Sequence, residues 1–274
     1  MDTRRPLNIT VCVKRVPDTE TRIRISPGGA DIERDGVKYV PSPYDEFAVE
    51  AALQLVEAAG GQSPAGAGSL AGGAGAGTGT GQVTLLSFGP EAAKESLRAG
   101  LALGAHRAVL LKGEPGMDGW ATARVLAAEL EGDAADLVLF GVKAVDDDQQ
   151  QVGPMVAELL GRPCATSVAA IDVDGGVATC RRAVEGGHEV VELDLPAVLT
   201  ITKGRYEPRY ASLRGIMMAK RKPLVEKEAP SIEAGLVVER LDLPPARPGG
   251  RIVGEGPNAV PELVRLLREE AKVL

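Results

Sequence analysis

Residues 146–153 read D-D-D-Q-Q-Q-V-G, three carboxylates and three amides just ahead of a helix start. Asp146, Asp147 and Asp148 can accept hydrogen bonds from ribose hydroxyls or an adenine amine. Gln149, Gln150 and Gln151 each offer a donor and an acceptor to ring nitrogens. The free N–H groups around Val152 and Gly153 suit a phosphate, because the first turn of a helix has unpaired donors. Phosphate is repelled by the adjacent carboxylates unless those point elsewhere. A purely structural, solvated loop is the plain alternative. Magnesium is a poorer reading, since consecutive side chains do not meet at one ion unless the loop curls.

Other reactive residues are sparse. Cys12, Cys164 and Cys180 lie far apart, and none has a CxxC partner. With only His106 and His188 besides, iron–sulfur, structural zinc and multi-histidine metal sites lack ligands. The cysteines read as small buried hydrophobes in a reduced compartment. No serine elbow, HExxH or cysteine–histidine pairing supplies a hydrolase nucleophile. The first strand leads into K-R-V-P-D at residues 14–18, not GxGxxG, which argues against an ordinary NAD dehydrogenase.

The elements that must position the 146–153 run are legible. The apolar stretch at residues 137–140 has the length and continuity of a strand buried on both faces, and Gly141 ends it. After the polar run, Met155, Val156, Leu159 and Leu160 make one helix face, stopped by Gly161, Arg162 and Pro163. Strands are expected at residues 9–13, 83–87 and 107–111, with helices from Pro43 to a stop at Gly60-Gly61, at 91–103 and at 119–130 between them. Ser42 is the expected N-cap of the first helix, with Pro43 at its first position and Asp45 and Glu46 facing its free N–H groups. Residues 14–18 read as a loop, and residues 21–25 and 36–40 as extended segments of an excursion outside the main sheet.

Past Gly161 the pattern changes to short strands at 166–171, 176–182 and 189–193, joined by Asp-Gly-Gly and Glu-Gly-Gly turns of hairpin type. A strand at 197–202 returns to the core, and a short helix is expected within 212–222. The fold class is therefore α/β: a doubly wound, mostly parallel Rossmann-like sheet with an antiparallel hairpin excursion. From residue 226 prolines and glycines dictate an extended arm, which ends in an amphipathic helix at 259–272. Residues 1–225 are expected to form the α/β domain, and residues 226–274 an arm that packs on a partner. The Gly/Ala/Ser/Thr tract at 60–81 reads as a flexible insertion.

Hydrophobic residues make up 44% of the 274, enough for a core, but aromatics are only 3%, so Val, Leu, Ile and Ala must fill it. A net charge of -7 leaves no broad basic field for nucleic acid. No signal peptide or membrane-length apolar run is evident, so the expectation is a soluble cytoplasmic protein.

Four stretches together resemble the beta subunit of electron transfer flavoproteins. They are V-C-V-K-R-V-P-D at 11–18, S-P-Y-D-E-F-A-V-E-A-A at 42–52, the 136–154 segment, and E-P-R-Y-A-S-L-R-G-I-M-M-A-K-R-K at 207–222. The resemblance implies a heterodimer in which the alpha subunit holds the redox-active FAD, while beta holds AMP or, in the bifurcating branch, a second FAD. It implies nucleotide contacts at Cys12, Val13, Ser42, Phe88, Gly89, Asp146, Asp148 and the 149–153 run. Tyr44 would stand near the partner's flavin, although it also reads as an ordinary helix-start packing residue.

The same resemblance puts docking on dehydrogenases at Leu213, with Ile216 nearby and Lys220, Arg221 and Lys222 continuing a basic stretch. Leu213 and Ile216 also read as core or subunit-interface residues, and the basic run as a solvated turn. Implied partners are flavin dehydrogenases and a quinone oxidoreductase, with NADH and ferredoxin or flavodoxin added for a bifurcating member. Ser42 stands where the family commonly has Asn, and Asp147 where it often has Gly. The 151–154 and 212–217 runs look more like the bifurcating branch than the mitochondrial one, which tilts the expectation toward a second FAD. A stand-alone adenine-nucleotide sensor is the rival, but it needs neither the arm nor the 207–222 segment.

Overall fold

A nine-stranded sheet runs through the molecule in the order β11-β5-β4-β1-β6-β10-β7-β8-β9. The computed structural model describes residues 6–60, 81–114, 118–246 and 249–274. The strands are β1 (Asn8–Cys12), β2 (Arg15–Pro17), β3 (Tyr39–Pro41), β4 (Gln82–Gly89), β5 (Arg107–Lys112), β6 (Leu137–Gly141), β7 (Cys164–Asp174), β8 (Val177–Val184), β9 (Gly187–Asp194), β10 (Ala197–Ile201) and β11 (Leu224–Glu228). The helices are α1 (Pro43–Ala58), α2 (Lys94–Leu103), α3 (Gly119–Leu130), α4 (Val152–Leu160), α5 (Leu213–Ala219) and α6 (Val260–Glu269). From β11 to β7 every neighbouring pair is parallel, and β8 and β9 add antiparallel. The fold is the expected mostly parallel, Rossmann-like one. The expected flexible tract at 60–81 falls almost wholly outside the described residues.

Alternation along β1 shows why both sheet faces are apolar. Ile9, Val11 and Val13 join a cluster with α1 and α2 residues such as Leu53, Leu97 and Leu101. Cys12 points the other way, into a cluster with Leu86, Leu126, Phe140 and Val156 against α3 and α4. Each such fully buried aliphatic side chain contributes about 1.5–3 kcal/mol, and period-2 alternation requires both faces to be covered.

Beyond shifts of a few residues at element ends, three segments differ from expectation. Arg15–Pro17, expected as loop, is a strand that pairs antiparallel with Tyr39–Pro41 outside the main sheet. Val16 between them is fully buried, and the Arg15 guanidinium lies 3.6 Å from the centre of the Tyr39 ring. Residues 21–25 make only an isolated bridge, Ile25 to Ile32. Leu224–Glu228 is an edge strand on β5, so the arm leaves the sheet after residue 228 and not at 226.

Topology marks the place where such a sheet would hold a ligand. The chain runs from β1 outward to β4 and β5, then returns to place β6 on the other side of β1. Loops leaving β1 and β6 therefore diverge at the carboxyl edge, and open sheets bind ligands at such a switch point.

Candidate functional site

Asp45, in the first turn of α1, closes the bottom of that crevice. Its Oδ2 accepts the Lys14 N–H at 2.7 Å as the chain leaves β1, and its Oδ1 accepts the Gly141 N–H at 3.0 Å at the end of β6. Only a glycine fits there: a Cβ on Gly141 would stand 2.5 Å from Asp45 Oδ1. Burial pushes the Asp45 carboxyl up to about 7, although the Lys14 and Gly141 N–H groups and the Lys14 charge pull the other way. Sequence reasoning gave Asp45 only a helix-end role. An aspartate two residues after an N1 proline is what a helix start alone would select, so nothing in the pattern marks the second task.

Ser42 holds the N-cap position without capping. Its carbonyl accepts the Asp45 and Glu46 N–H groups, but its hydroxyl makes no side-chain cap bond. That hydroxyl is wholly buried and, with the Ser87 hydroxyl on β4, lacks a hydrogen-bond partner among the described residues. Such a group costs about 1–3 kcal/mol, a cost that a ligand's polar atom would offset. The Ser42 N–H donates to the Lys14 carbonyl at 2.9 Å, so the orphan hydroxyl stands beside the exit of β1.

The loop after β6 does curl. The Asp148 N–H donates to the Ala144 carbonyl at 2.9 Å, and Asp148 and Gln150 adopt left-handed φ of 52° and 56°. Two lysines take up the carboxylates. Lys14 Nζ meets Asp146 at 2.9 Å and Asp147 at 2.7 Å, and Lys143 Nζ meets Asp148 at 2.8 Å. Burial lowers the pKa of Lys14, but the Asp146 and Asp147 carboxylates outweigh that and leave it raised. Two ammoniums set against three carboxylates lessen the repulsion a phosphate would otherwise meet. Among the described residues no group of His, Cys, Asp or Glu is arranged to hold a metal ion.

The remaining expected residues gather at the same edge. Cys12 ends β1, with its thiol pushed well above the usual range by burial and then by Asp45 and Asp133, which makes it inert. Val13, also buried, donates its N–H to Leu86. Phe88 and Gly89 end β4. Tyr44 packs on Phe47, with Lys143 Nζ 5.7 Å from its ring centre. The Gln149 and Gln151 amides bond at 2.5 Å, and Gln150 is exposed. Val152 opens α4, and Gly153 lets that helix touch the sheet: a Cβ there would stand 2.7 Å from Thr200 Cγ2.

A cavity of about 590 Å³ lies elsewhere, between α1, α2 and α5. It shares Val13 and Asp45 with the crevice but no residue of 146–153. Its largely aliphatic wall offers no convergent polar set for a nucleotide.

The expected docking residues divide. Leu213 is 82% exposed, and Ile216, Met217 and Met218 stand out beside it on α5. Lys220 and Arg221 are exposed too. Lys222 turns inward: its ammonium donates to the Leu101 and Ala105 carbonyls at 2.9 and 2.6 Å, closing the end of α2. Arg98 reciprocates onto the carbonyls of Ala219 and Lys222. Sequence reasoning missed Arg209, which ties its segment to Glu50 and Glu57 of α1.

These features define a doubly wound α/β protein with a polar crevice at its switch point and an exposed apolar helix near the other end of its chain. The profile described as "Electron transfer flavoprotein domain" matches residues 69–232. The chain is 37% identical over 268 residues to the electron transfer flavoprotein subunit beta of Bradyrhizobium diazoefficiens, covering 98% of this chain and 100% of the relative. It is 36% identical to that of Bacillus subtilis and 35% identical to the mitochondrial one of Arabidopsis thaliana, with the same coverage. The chain belongs to the electron transfer flavoprotein beta-subunit family, and its general role is electron transfer.

Proposed function

We propose that this chain binds an adenine nucleotide in the β1–β6 crevice and pairs with an alpha subunit carrying a redox-active FAD. The pair passes electrons between flavin dehydrogenases and a quinone oxidoreductase or another acceptor. The observation that carries the nucleotide reading is the buried Ser42 hydroxyl beside the exit of β1, without a partner among the described residues. Around it, Gln149 and Gln151 would face base and ribose, and the free N–H groups of Val152 and Gly153 would take phosphate. Flavin, where bound, supplies the electron-accepting ring, and the protein supplies orientation, charge and docking surface. Tyr44 would stand toward the partner's flavin. The compartment that fits this reading is the cytoplasm.

Co-expression with the alpha subunit, a visible spectrum and the released nucleotides test this. One flavin with one AMP per heterodimer supports a structural nucleotide. Two flavins support the bifurcating version, in which the second flavin would supply a further redox centre and NADH would join the partners. A colourless monomer holding ATP would instead support a stand-alone sensor. Leu213, the most exposed apolar residue of α5, is the docking anchor in this reading. Replacing it with Ala should slow exchange with a dehydrogenase about tenfold, an anchor loss of about 1.4 kcal/mol, with flavin content unchanged. An unaltered rate removes that role.

A further inference from the structure

Among the described residues the root of the arm, residues 229–236, is held at the carboxyl edge of the sheet, and farther out the Leu241 N–H donates to the Gly29 carbonyl at 2.7 Å. The Ala229 N–H donates to the Lys112 carbonyl at 2.9 Å, continuing β11 by one residue. Ala229 and Ile232 pack on the apolar cluster shared with α3 and α4. Ala229 also flanks Gly113, where an added Cβ would stand 3.5 Å from it and 2.4 Å from the Phe88 ring. Farther on, the Leu236 N–H donates to Asp118 Oδ2 at 2.6 Å.

Asp118 serves two elements at once. Its other oxygen accepts the Ala121 N–H at 2.6 Å and caps α3. The backbone N–H groups of Ala121, then of Leu236 and Gly235, hold its carboxyl below the usual range. Next to it, Gly119 presses on the nucleotide loop. A Cβ on Gly119 would stand 2.6 Å from both Gln149 Oε1 and Gln151 Nε2. The ends of the loop's paired amides, the start of α3 and the root of the arm therefore meet at one place, so order imposed on one bears on the others.

We propose that Asp118 is a positioning residue that couples occupancy of the crevice to the course of the arm. The proposal rests on the nucleotide reading above. An adenosine phosphate held by the 149–153 run fixes the paired amides against Gly119. That fixes the first turn of α3, and Asp118 then holds the arm at Leu236. The coupling is reciprocal: a chain whose arm is fixed holds the nucleotide more tightly. Grip on a partner and grip on the nucleotide thus share one carboxylate.

Hydrogen exchange on the partner-bound protein, stripped of nucleotide and titrated with AMP, tests this. AMP should slow exchange in residues 146–153 and in residues 232–238 over the same concentration range. Asp118→Asn leaves one side-chain oxygen for two N–H groups. It should abolish the response at 232–238 and weaken AMP binding about five- to tenfold, near the lower end of ordinary coupling. Leu236→Pro removes the donated N–H but leaves the α3 cap intact, and should give the same two losses. Protection of 146–153 alone in the native protein would overturn the coupling and leave the nucleotide site standing. Protection of neither segment would remove the nucleotide reading and the coupling with it. A native-like response at 232–238 in both variants would remove Asp118 from the account.

Discussion

A single buried carboxylate sets the geometry of the crevice. Asp45 joins the exits of β1 and β6 with its two oxygens, and Lys14 joins the first of those exits to the curled loop through Asp146 and Asp147. Desolvation raises the Asp45 carboxyl from 3.8 to about 7. Between those values the folded chain holds a proton that the unfolded chain has released. Ionising the group in place costs stability that accumulates as pH rises through this window and is complete above it. Asp45→Asn removes the titration. Its stability relative to the native protein should therefore rise between pH 4 and pH 7, by on the order of 4 kcal/mol, and stay level above. The variant also loses one of two acceptors, so its curve lies lower overall while keeping that slope. Urea denaturation at pH 5, 6, 7 and 8 reads the difference, and a pH-independent gap would refute the assignment.

Among the elements, the signature segment at 207–222 is clamped at both ends. Arg209 donates to Glu50 at 2.7 and 2.9 Å and to Glu57 at 2.7 and 3.2 Å, and those bonds, led by Glu50, raise its pKa further. Glu50 is almost wholly buried, so Arg209→Ala leaves a charge without its partner. A loss of about 3–5 kcal/mol is expected in equilibrium unfolding. The double variant Arg209→Met with Glu50→Met should recover most of it, and an equally unstable double variant would show that packing and not charge is at stake.

Such a clamp cannot be read from the sequence, because its partners are 152 and 159 residues apart. What could be read was local. The helix at Gly119–Leu130 and the opening of the one at Val152–Leu160 follow from period and punctuation. The edge strand Leu224–Glu228 did not, because only Leu224 of L-V-E-K-E is even partly buried and no apolar run announces it. The left-handed turns at Asp148 and Gln150 were equally silent, since neither residue is glycine. The Lys14 bridge to that loop spans 132 residues.

At the scale of the molecule, the arm and its helix carry an apolar surface that the described residues leave uncovered. No residue of Val260–Glu269 is buried, while Val260, Leu263, Val264 and Leu267 recur at i, i+3, i+4 and i+7 along one side. The opposite side is laced by Arg265 with Glu262 and Glu269. A ten-residue helix is marginal in water by itself, so the apolar stripe needs a covering surface. Upstream, Leu236, Val237, Val238, Leu243 and Ile252 also stand exposed. A stretch so apolar that leaves its own sheet fits an embrace of the alpha subunit better than closure of its own core. Leu263→Glu puts a charge into that stripe without touching the sheet. It should weaken the heterodimer at least about thirtyfold, a central anchor's loss of about 2 kcal/mol, measured by titrating one tagged subunit against the other. The circular dichroism and unfolding midpoint of this chain alone should stay unchanged, because the helix adds nothing to its core. A heterodimer as tight as the native one would mean that the stripe faces water, and the grip would then have to lie elsewhere on the chain.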